Sequence, residues 1–172
     1  MKILLILLTA LIIGCESGDK STSEIFNSEK SKDSINLVLD KWHTAAAEAS
    51  FEDYFDQMTK DGVFLGTDAT ENWQNQQFRS FAKPYFDAGK AWSFTSLERN
   101  VYFSSEGNMA WFDELLDTQM GICRGSGVLE QTADGWKIKH YVLSIAIPNE
   151  NVSEVTEMKK EFDKALIEEL TQ

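Results

Sequence analysis

Two histidines, His43 and His140, are the only imidazoles in a chain of 172 residues, and imidazole is the side chain suited to moving protons near neutral pH. Asp113 is the carboxylate in position to work with them. Trp111, Asp113 and Leu115 alternate along one strand-like segment, and Trp136, Ile138, His140, Val142 and Ser144 alternate along another, so each set shares one side of its strand. With both sets facing a helix that carries Trp42 and His43, Asp113 and a histidine would form an acid–base pair at the end of an apolar cavity. Trp42 and Trp111 would stack on a ring there, and Ser144 would add a hydroxyl. Arg99 and Arg124 also interrupt core-like strands. Each either pairs with Asp113 or Glu114 as structural glue, or offers a guanidinium to a carboxylate or carbonyl of a ligand. The plainer reading of both histidines is a hydrogen-bonded position at the edge of the core.

Cysteine divides the chain differently. Of the 2 Cys, Cys123 sits among strand residues and reads as a small apolar side chain. Cys15 follows Lys2 and an apolar run from Ile3 to Ile13 that is too short to span a bilayer. Ile12-Ile13-Gly14-Cys15 resembles the lipobox of bacterial lipoproteins: an aliphatic residue, a variable one, a small one, then the acylated cysteine. The expectation is a signal peptide over residues 1–14, lipid on Cys15, and a polar tether over 15–32 rich in Ser, Lys, Glu and Asp. The domain would then be held outside the cytoplasm at the cell envelope. Glu16 after the cysteine, in place of the Asp that retains some lipoproteins at the inner membrane, favours the outer membrane.

Composition sets further bounds. The chain is 42% hydrophobic, 12% aromatic and carries a formal net charge of −12. That builds a core rather than a disordered chain, and it repels phosphate backbones, so nucleic acid is not an expected partner. Scattered carboxylates with two histidines lack the spacing of a zinc motif; no metal and no cofactor are expected. Gly125-Ser126-Gly127 lies inside a strand, where it lets the sheet bend, and not before a helix as a phosphate loop does.

The elements that must position these residues are helices first, then a sheet. Ile35, Val38, Trp42, Ala45 and Ala49 recur at helical steps, with Asp33 or Ser34 as the expected cap. A short helix follows over residues 51–58, then the Asp61-Gly62 turn and the short strand Val63-Phe64-Leu65. Asp68 and Glu71 have the spacing of a capping box, and the helix they open would carry Trp73, Phe78, Phe81 and Tyr85 up to Pro84 and Gly89. Four strands joined by short turns cover 92–103, 109–118, 122–131 and 136–147, an antiparallel meander. Pro148 ends the sheet, and Val152, Val155, Met158, Phe162, Leu166 and Leu170 mark a final amphipathic helix within 149–172. The fold class is α+β: helices held in a curved, mainly antiparallel sheet.

With these residues in order, the segment 33–148 resembles the SnoaL-like branch of the nuclear transport factor two superfamily. The resemblance rests on Trp42-His43, Phe64-Leu65-Gly66-Thr67-Asp68, Glu71 with Trp73, Phe78 through Pro84 to Phe86, and Arg99. It continues in Trp111-Phe112-Asp113-Glu114, Arg124 to Leu129 and Trp136-Lys137-Ile138. It implies a cone with a pocket at its open end, and Phe64 and Trp73 join Trp42, Arg99, Trp111, Arg124 and Ser144 as candidate ligand-binding residues. Ketosteroid isomerase belongs to the superfamily, but its catalytic Asp falls here on Gly66 and its oxyanion-binding Tyr on Trp42. Two classes of function follow. One is a non-catalytic module that binds a small apolar or carbonyl-bearing molecule or serves as a scaffold. The other is a small isomerase, cyclase or dehydratase using Asp113 with His140 or His43. Such domains often pair through the outer sheet face, so a homodimer is expected, with Tyr141, Leu143 and Ile145 on the face opposite His140 and Ser144.

Overall fold

The computed structural model describes residues 26–172; the expected signal, Cys15 and most of the expected tether lie outside the described residues. Helix α1 runs Ser28–Ala47. It starts earlier than the Asp33 or Ser34 cap would place it, because Asn27 closes the first turn: its side-chain oxygen accepts the Lys30 N–H at 3.1 Å. One stripe of α1, with Ile35, Leu39, Trp42 and Ala46, is almost wholly buried. Helix α2 is Phe51–Asp56. Strand β1, Met58–Leu65, is longer than the expected three residues and takes in Asp61-Gly62.

The third helix departs from expectation at its start. α3 spans Asn75–Asp87 and is opened by Gln74 and Gln77, which cap one another reciprocally. Asp68 is instead committed to a local turn, accepting from the Thr70 N–H at 2.9 Å, while the Glu71 carboxylate turns back to the Asp68 N–H at 3.2 Å. Trp73 therefore sits on a three-residue strand β2, Asn72–Gln74, antiparallel to β1.

Strands β3 (Phe94–Phe103), β4 (Met109–Thr118), β5 (Gly121–Thr132) and β6 (Gly135–Ile145) complete one sheet in the order β2-β1-β6-β5-β4-β3. Only β1 and β6 are parallel neighbours. The sheet curves without closing, and α1, α2 and α3 fill its concave side around a core of Trp42, Tyr54, Phe78, Leu116, Ile138 and Tyr141. Helix α4, Val152–Leu170, follows a 3-10 turn at Asn149–Asn151.

Two strands present the opposite sides from those their alternation suggested. On β4 the inward residues are Ala110, Phe112, Glu114 and Leu116, all nearly inaccessible, whereas Trp111 is 48% exposed and Asp113 lies on the outer face. The choice is made across the strand pair. Phe112 stands opposite Gly127 and Glu114 opposite Gly125. A Cβ on Gly125 would overlap the Tyr141 hydroxyl, and one on Gly127 the Phe112 ring. These glycines leave inner room for the larger side chains, while Trp111 and Asp113 face Val128 and Ser126 outside.

On β6 a bulge intervenes. Val128 pairs with His140 and Leu129 with Ile138, so Lys139 is an extra residue and the alternation slips by one. Trp136 and Ile138 point inward before it; Tyr141 and Leu143 point inward after it. His140 and Ser144 consequently lie outside, and the expected outer patch of Tyr141, Leu143 and Ile145 is an inner one, with Ile145 at the rim.

This phase makes a direct test by urea denaturation. Phe112→Ala should cost about 3–5 kcal/mol as a buried aromatic truncation, and Trp111→Ala less than about 1 kcal/mol. Equal costs would contradict the observed phase.

Candidate functional site

The interior of the cone is built around the Glu114 carboxylate, which is 1% exposed. Its Oε1 accepts from His43 Nε2 at 2.9 Å and from the Tyr141 hydroxyl at 3.1 Å. Its Oε2 accepts from Arg99 Nε at 2.9 Å, with Arg99 Nη2 also 2.9 Å away as an ion-pair contact. Arg99 Nη1 reaches back to α1, donating to Asp40 Oδ1 at 2.8 Å and to the Asn36 carbonyl at 3.4 Å. His43 enters from the inner face of α1 and Arg99 from β3, one strand from Glu114.

Burial pushes the Glu114 carboxyl up, but the His43 hydrogen bond and the charges of His43 and Arg99 outweigh it and hold the group below the ordinary 4.5. Burial, reinforced by the Glu114 charge, drives the Tyr141 hydroxyl well above its ordinary 10.0. An ionised acid and a neutral phenol therefore share a proton-donor network whose three donors all serve one acceptor. The arrangement binds α1 to β3, β4 and β6. It leaves no carboxylate oxygen free for a substrate. His43 Nδ1, Trp42 Nε1 and the Tyr54 hydroxyl are buried nearby without a partner among the described residues.

The aromatic pocket lies elsewhere, between β1, β2, α3 and the β4–β5 turn, with a volume of about 110 Å³. Phe64 on β1, Trp73 on β2 and Phe78 and Phe81 on α3 form one wall as a pile of rings. Phe64 and Phe78 stack at 4.1 Å between centroids, and Trp73 and Phe81 at 4.3 Å. Trp92, Phe94 and Leu143 form the facing side, and Met120 and Gln119 reach in from the β4–β5 turn. Glu71 is the one titratable residue of the lining, beside Gly66 and Thr67. A Cβ on Gly66 would collide with the Glu71 carboxylate, so glycine is what lets that acid fold over the rim. A wider cleft of about 700 Å³ beside the β5–β6 turn is lined by groups of both signs, and its Arg79 is already paired with Glu52 at 2.7 Å.

The expected site residues are thus dispersed. Phe64 and Trp73 line the pocket. Trp42 is 1% exposed in the core behind it. Arg99 and His43 are consumed by Glu114. Asp113, Trp111, Arg124, His140 and Ser144 are all on the outer face, where Asp113 accepts from Asn100 at 3.3 Å and Trp111 stacks on Tyr102 at 6.0 Å. The Asp113–His140 pair does not form inside the cone. Tyr141 is the network member that alternation concealed; the glycines opposite Phe112 and Glu114 were the signal that large inner groups occupy this part of the sheet. Among the described residues no three His, Cys, Asp or Glu side chains gather to hold a metal.

Glu114→Gln should leave the buried Arg99 with only the exposed Asp40 as counter-charge and cost about 3 kcal/mol. The pH dependence carries a sign. A carboxyl whose folded pKa is depressed stabilises fully above its unfolded value, here near 4.5, and loses that contribution as pH falls through the folded value. Acid unfolding of the wild type should therefore show a slope below about pH 4.5 that is shallower in Glu114→Gln, where the depressed Asp61 and Asp68 still contribute. An unchanged slope would mean that Glu114 is not the group being titrated.

Comparison with known proteins agrees with this architecture. The family described as SnoaL-like domain matches residues 35–148. No curated relative matches the sequence. Among solved structures, an NTF2-like protein from Pseudomonas putida KT2440 is 13% identical, with a TM-score of 0.60 over 72% of this chain and 92% of that one. A cystatin-like domain from Nostoc punctiforme is 14% identical, with a TM-score of 0.60 over 85% and 99%. A proposed dehydratase of the NTF2-like family from Streptomyces avermitilis is 13% identical, with a TM-score of 0.60 over 71% and 100%. At such identities the likeness is one of fold. With the family match spanning most of the described cone, the chain belongs to the SnoaL-like domain family.

Proposed function

We propose that this protein is a lipid-anchored envelope protein that holds a small apolar molecule in the aromatic pocket of its cone and does no chemistry on it. The observation that carries the reading is the separation of the two kinds of residue. The buried proton-transfer groups His43, Glu114 and Tyr141 are spent on one another, while the pocket is walled by rings and aliphatic side chains. A volume near 110 Å³ is below the roughly 150 Å³ of an apolar cavity that accommodates benzene, which limits the ligand to one small ring or a short acyl segment. Gln119 and Thr67 at the lining offer hydrogen bonds to a carbonyl at the ligand's exposed end. The anchor rests on Ile12-Ile13-Gly14-Cys15, with the outer membrane as the favoured destination.

A second reading stays in view because of Glu71. It is a carboxylate at the edge of an aromatic pocket, the kind of group that could take a proton from carbon next to a carbonyl. Its oxygen accepts the Asp68 N–H, which positions it as a rim contact.

Tryptophan fluorescence titration of the purified protein with one-ring aromatics and short-chain ketones tests both readings. Binding should weaken on the order of tenfold or more in Trp73→Ala, from lost aromatic contact, and persist in Glu71→Gln. Conversion of a ketone by the wild type, abolished in Glu71→Gln, would replace the binding reading by the enzymatic one; no binding across the panel would end the pocket reading. For the anchor, Cys15→Ser should move the protein out of the membrane fraction or leave its signal uncut. A variant still cut after Gly14 and still membrane-bound would refute lipid attachment.

A further inference from the structure

The aromatic pocket has a second property besides its rings: its only charge is negative. Phe64, Trp73, Phe78 and Phe81 stand on one side of it and Trp92 and Phe94 on the other. The π-face of each ring holds the negative part of its quadrupole. Glu71 adds a full charge, and no Lys, Arg or His lines the space. One Glu71 oxygen accepts the Asp68 N–H at 3.2 Å; the other has no hydrogen bond or ion pair among the described residues. Gly66 keeps the carboxylate at this rim, because a Cβ there would take the place of its oxygen.

Elsewhere the chain covers its rings with its own cations. Between α3 and α2, Arg79 sits over the Phe51 and Phe55 rings, 4.9 and 4.8 Å from their centroids, and Lys83 over Phe51 at 5.3 Å. These are cation–π distances. Among the described residues no side chain does the same for the pocket rings. The place is open to a cation from outside, and a formal net charge of −12 draws cations toward the surface.

The lining decides which kind of cation. A metal ion gives up its water only for a shell of oxygen ligands. The side chains here that carry oxygen are Glu71, Thr67 and Gln119, and the Gln119 Oε1 already accepts the Ser93 N–H at 3.3 Å. A primary ammonium brings several N–H donors that need acceptors, and it would meet mostly rings. A fully methylated ammonium has no donor to satisfy. Its charge is spread over methyl groups that pack against carbon, so aromatic walls hold it by charge and by contact together. Such a headgroup is no bulkier than the small ring that a volume of about 110 Å³ admits.

We propose that the aromatic pocket selects a quaternary methylammonium group, held among its rings with Glu71 as the counter-charge. The proposal rests on the reading of this pocket as the binding site, and it narrows the ligand from an apolar molecule to a cation with an apolar surface. The group can arrive on a free small molecule or on a lipid headgroup, since both present the same chemistry to the rings.

The test compares choline with 3,3-dimethylbutan-1-ol, a molecule of the same shape with carbon in place of the charged nitrogen. Tryptophan fluorescence of the purified full-length chain in a maltoside detergent follows both, because Trp73 and Trp92 lie in the lining. Choline should bind at least about tenfold more tightly than the alcohol. Glu71→Gln, which keeps an oxygen for the Asp68 N–H, and Trp73→Leu, which keeps an apolar side chain, should each remove most of that preference. Phosphatidylcholine vesicles replace choline in a parallel titration, with phosphatidylglycerol vesicles as control. A response to phosphatidylcholine alone, lost in Glu71→Gln, would support the proposal with a lipid headgroup as the source. Equal affinity for choline and the alcohol would overturn the proposal and leave the pocket reading standing. A preference for choline that survives both substitutions would place the cation elsewhere and overturn it too. No response to choline, vesicles, the alcohol or one-ring aromatics would end the pocket reading itself.

Discussion

A carboxylate cannot be removed from water unless its charge is met, and in this fold that requirement falls on Glu114. Three donors from three separate elements converge on it: His43 from α1, Arg99 from β3 and Tyr141 from β6. Each donor fixes something else. His43 sets the rotation of α1 about its axis, Arg99 sets the pairing of β3 with β4, and Tyr141 sets the phase of the last half of β6. Gly125 completes the arrangement by contributing no side chain where the Tyr141 hydroxyl must pass. Burial of Trp42, Phe112 and Leu116 contributes more free energy in total, but apolar contacts are not directional and would permit other registers. The polar cluster admits one.

That commitment shapes the pocket. A cone of this kind has a limited depth, and here its depth is filled by the Glu114 network and by the rings of Trp42 and Tyr54, which stack at 4.9 Å. The apolar free volume described above lies between the α3 rings and the segment leading into β3. The chemistry available to a bound molecule is accordingly that of stacking and exclusion of water, with hydrogen bonds confined to the rim. The Glu114 network and the pocket lining share no residue, although Phe64, Phe78, Phe94 and Leu143 of the lining also belong to the buried core.

Periodicity and turn residues identified most elements: the stripe on α1, the four long strands and the final helix all follow from spacing. What alternation could not supply was phase. Trp111-Asp113-Leu115 and Phe112-Glu114-Leu116 are equally good inward sets when β4 is considered alone, and the decision rests with Gly125 and Gly127 on the neighbouring strand. The same limit applied to β6, where nothing in Lys139 itself announces a bulge. Capping failed for a related reason. Asp68 and Glu71 have the right spacing to open a helix, but their side chains bond within the loop, and Gln74 with Gln77 opens it instead. The candidate site was therefore dispersed by two inversions of side rather than by any misplacement of strands. Charge in a core-like setting allowed Arg99 or Arg124 to pair with Asp113 or Glu114, and the phase of β4 and β5 selects Arg99 with Glu114.

The bulge at Lys139 has a consequence for how the gene can change. Strand β6 contains two alternations joined by one surplus residue: Trp136 and Ile138 before it, Tyr141 and Leu143 after it. A point change at Lys139 alters one half-exposed side chain and keeps both halves in step. Losing or gaining a single codon there would turn everything downstream over, placing His140 and Val142 in the core and the Tyr141 hydroxyl, with its bond to Glu114, in solvent. The position is thus permissive to substitution and closed to insertion and deletion, so its length, more than its identity, carries the information.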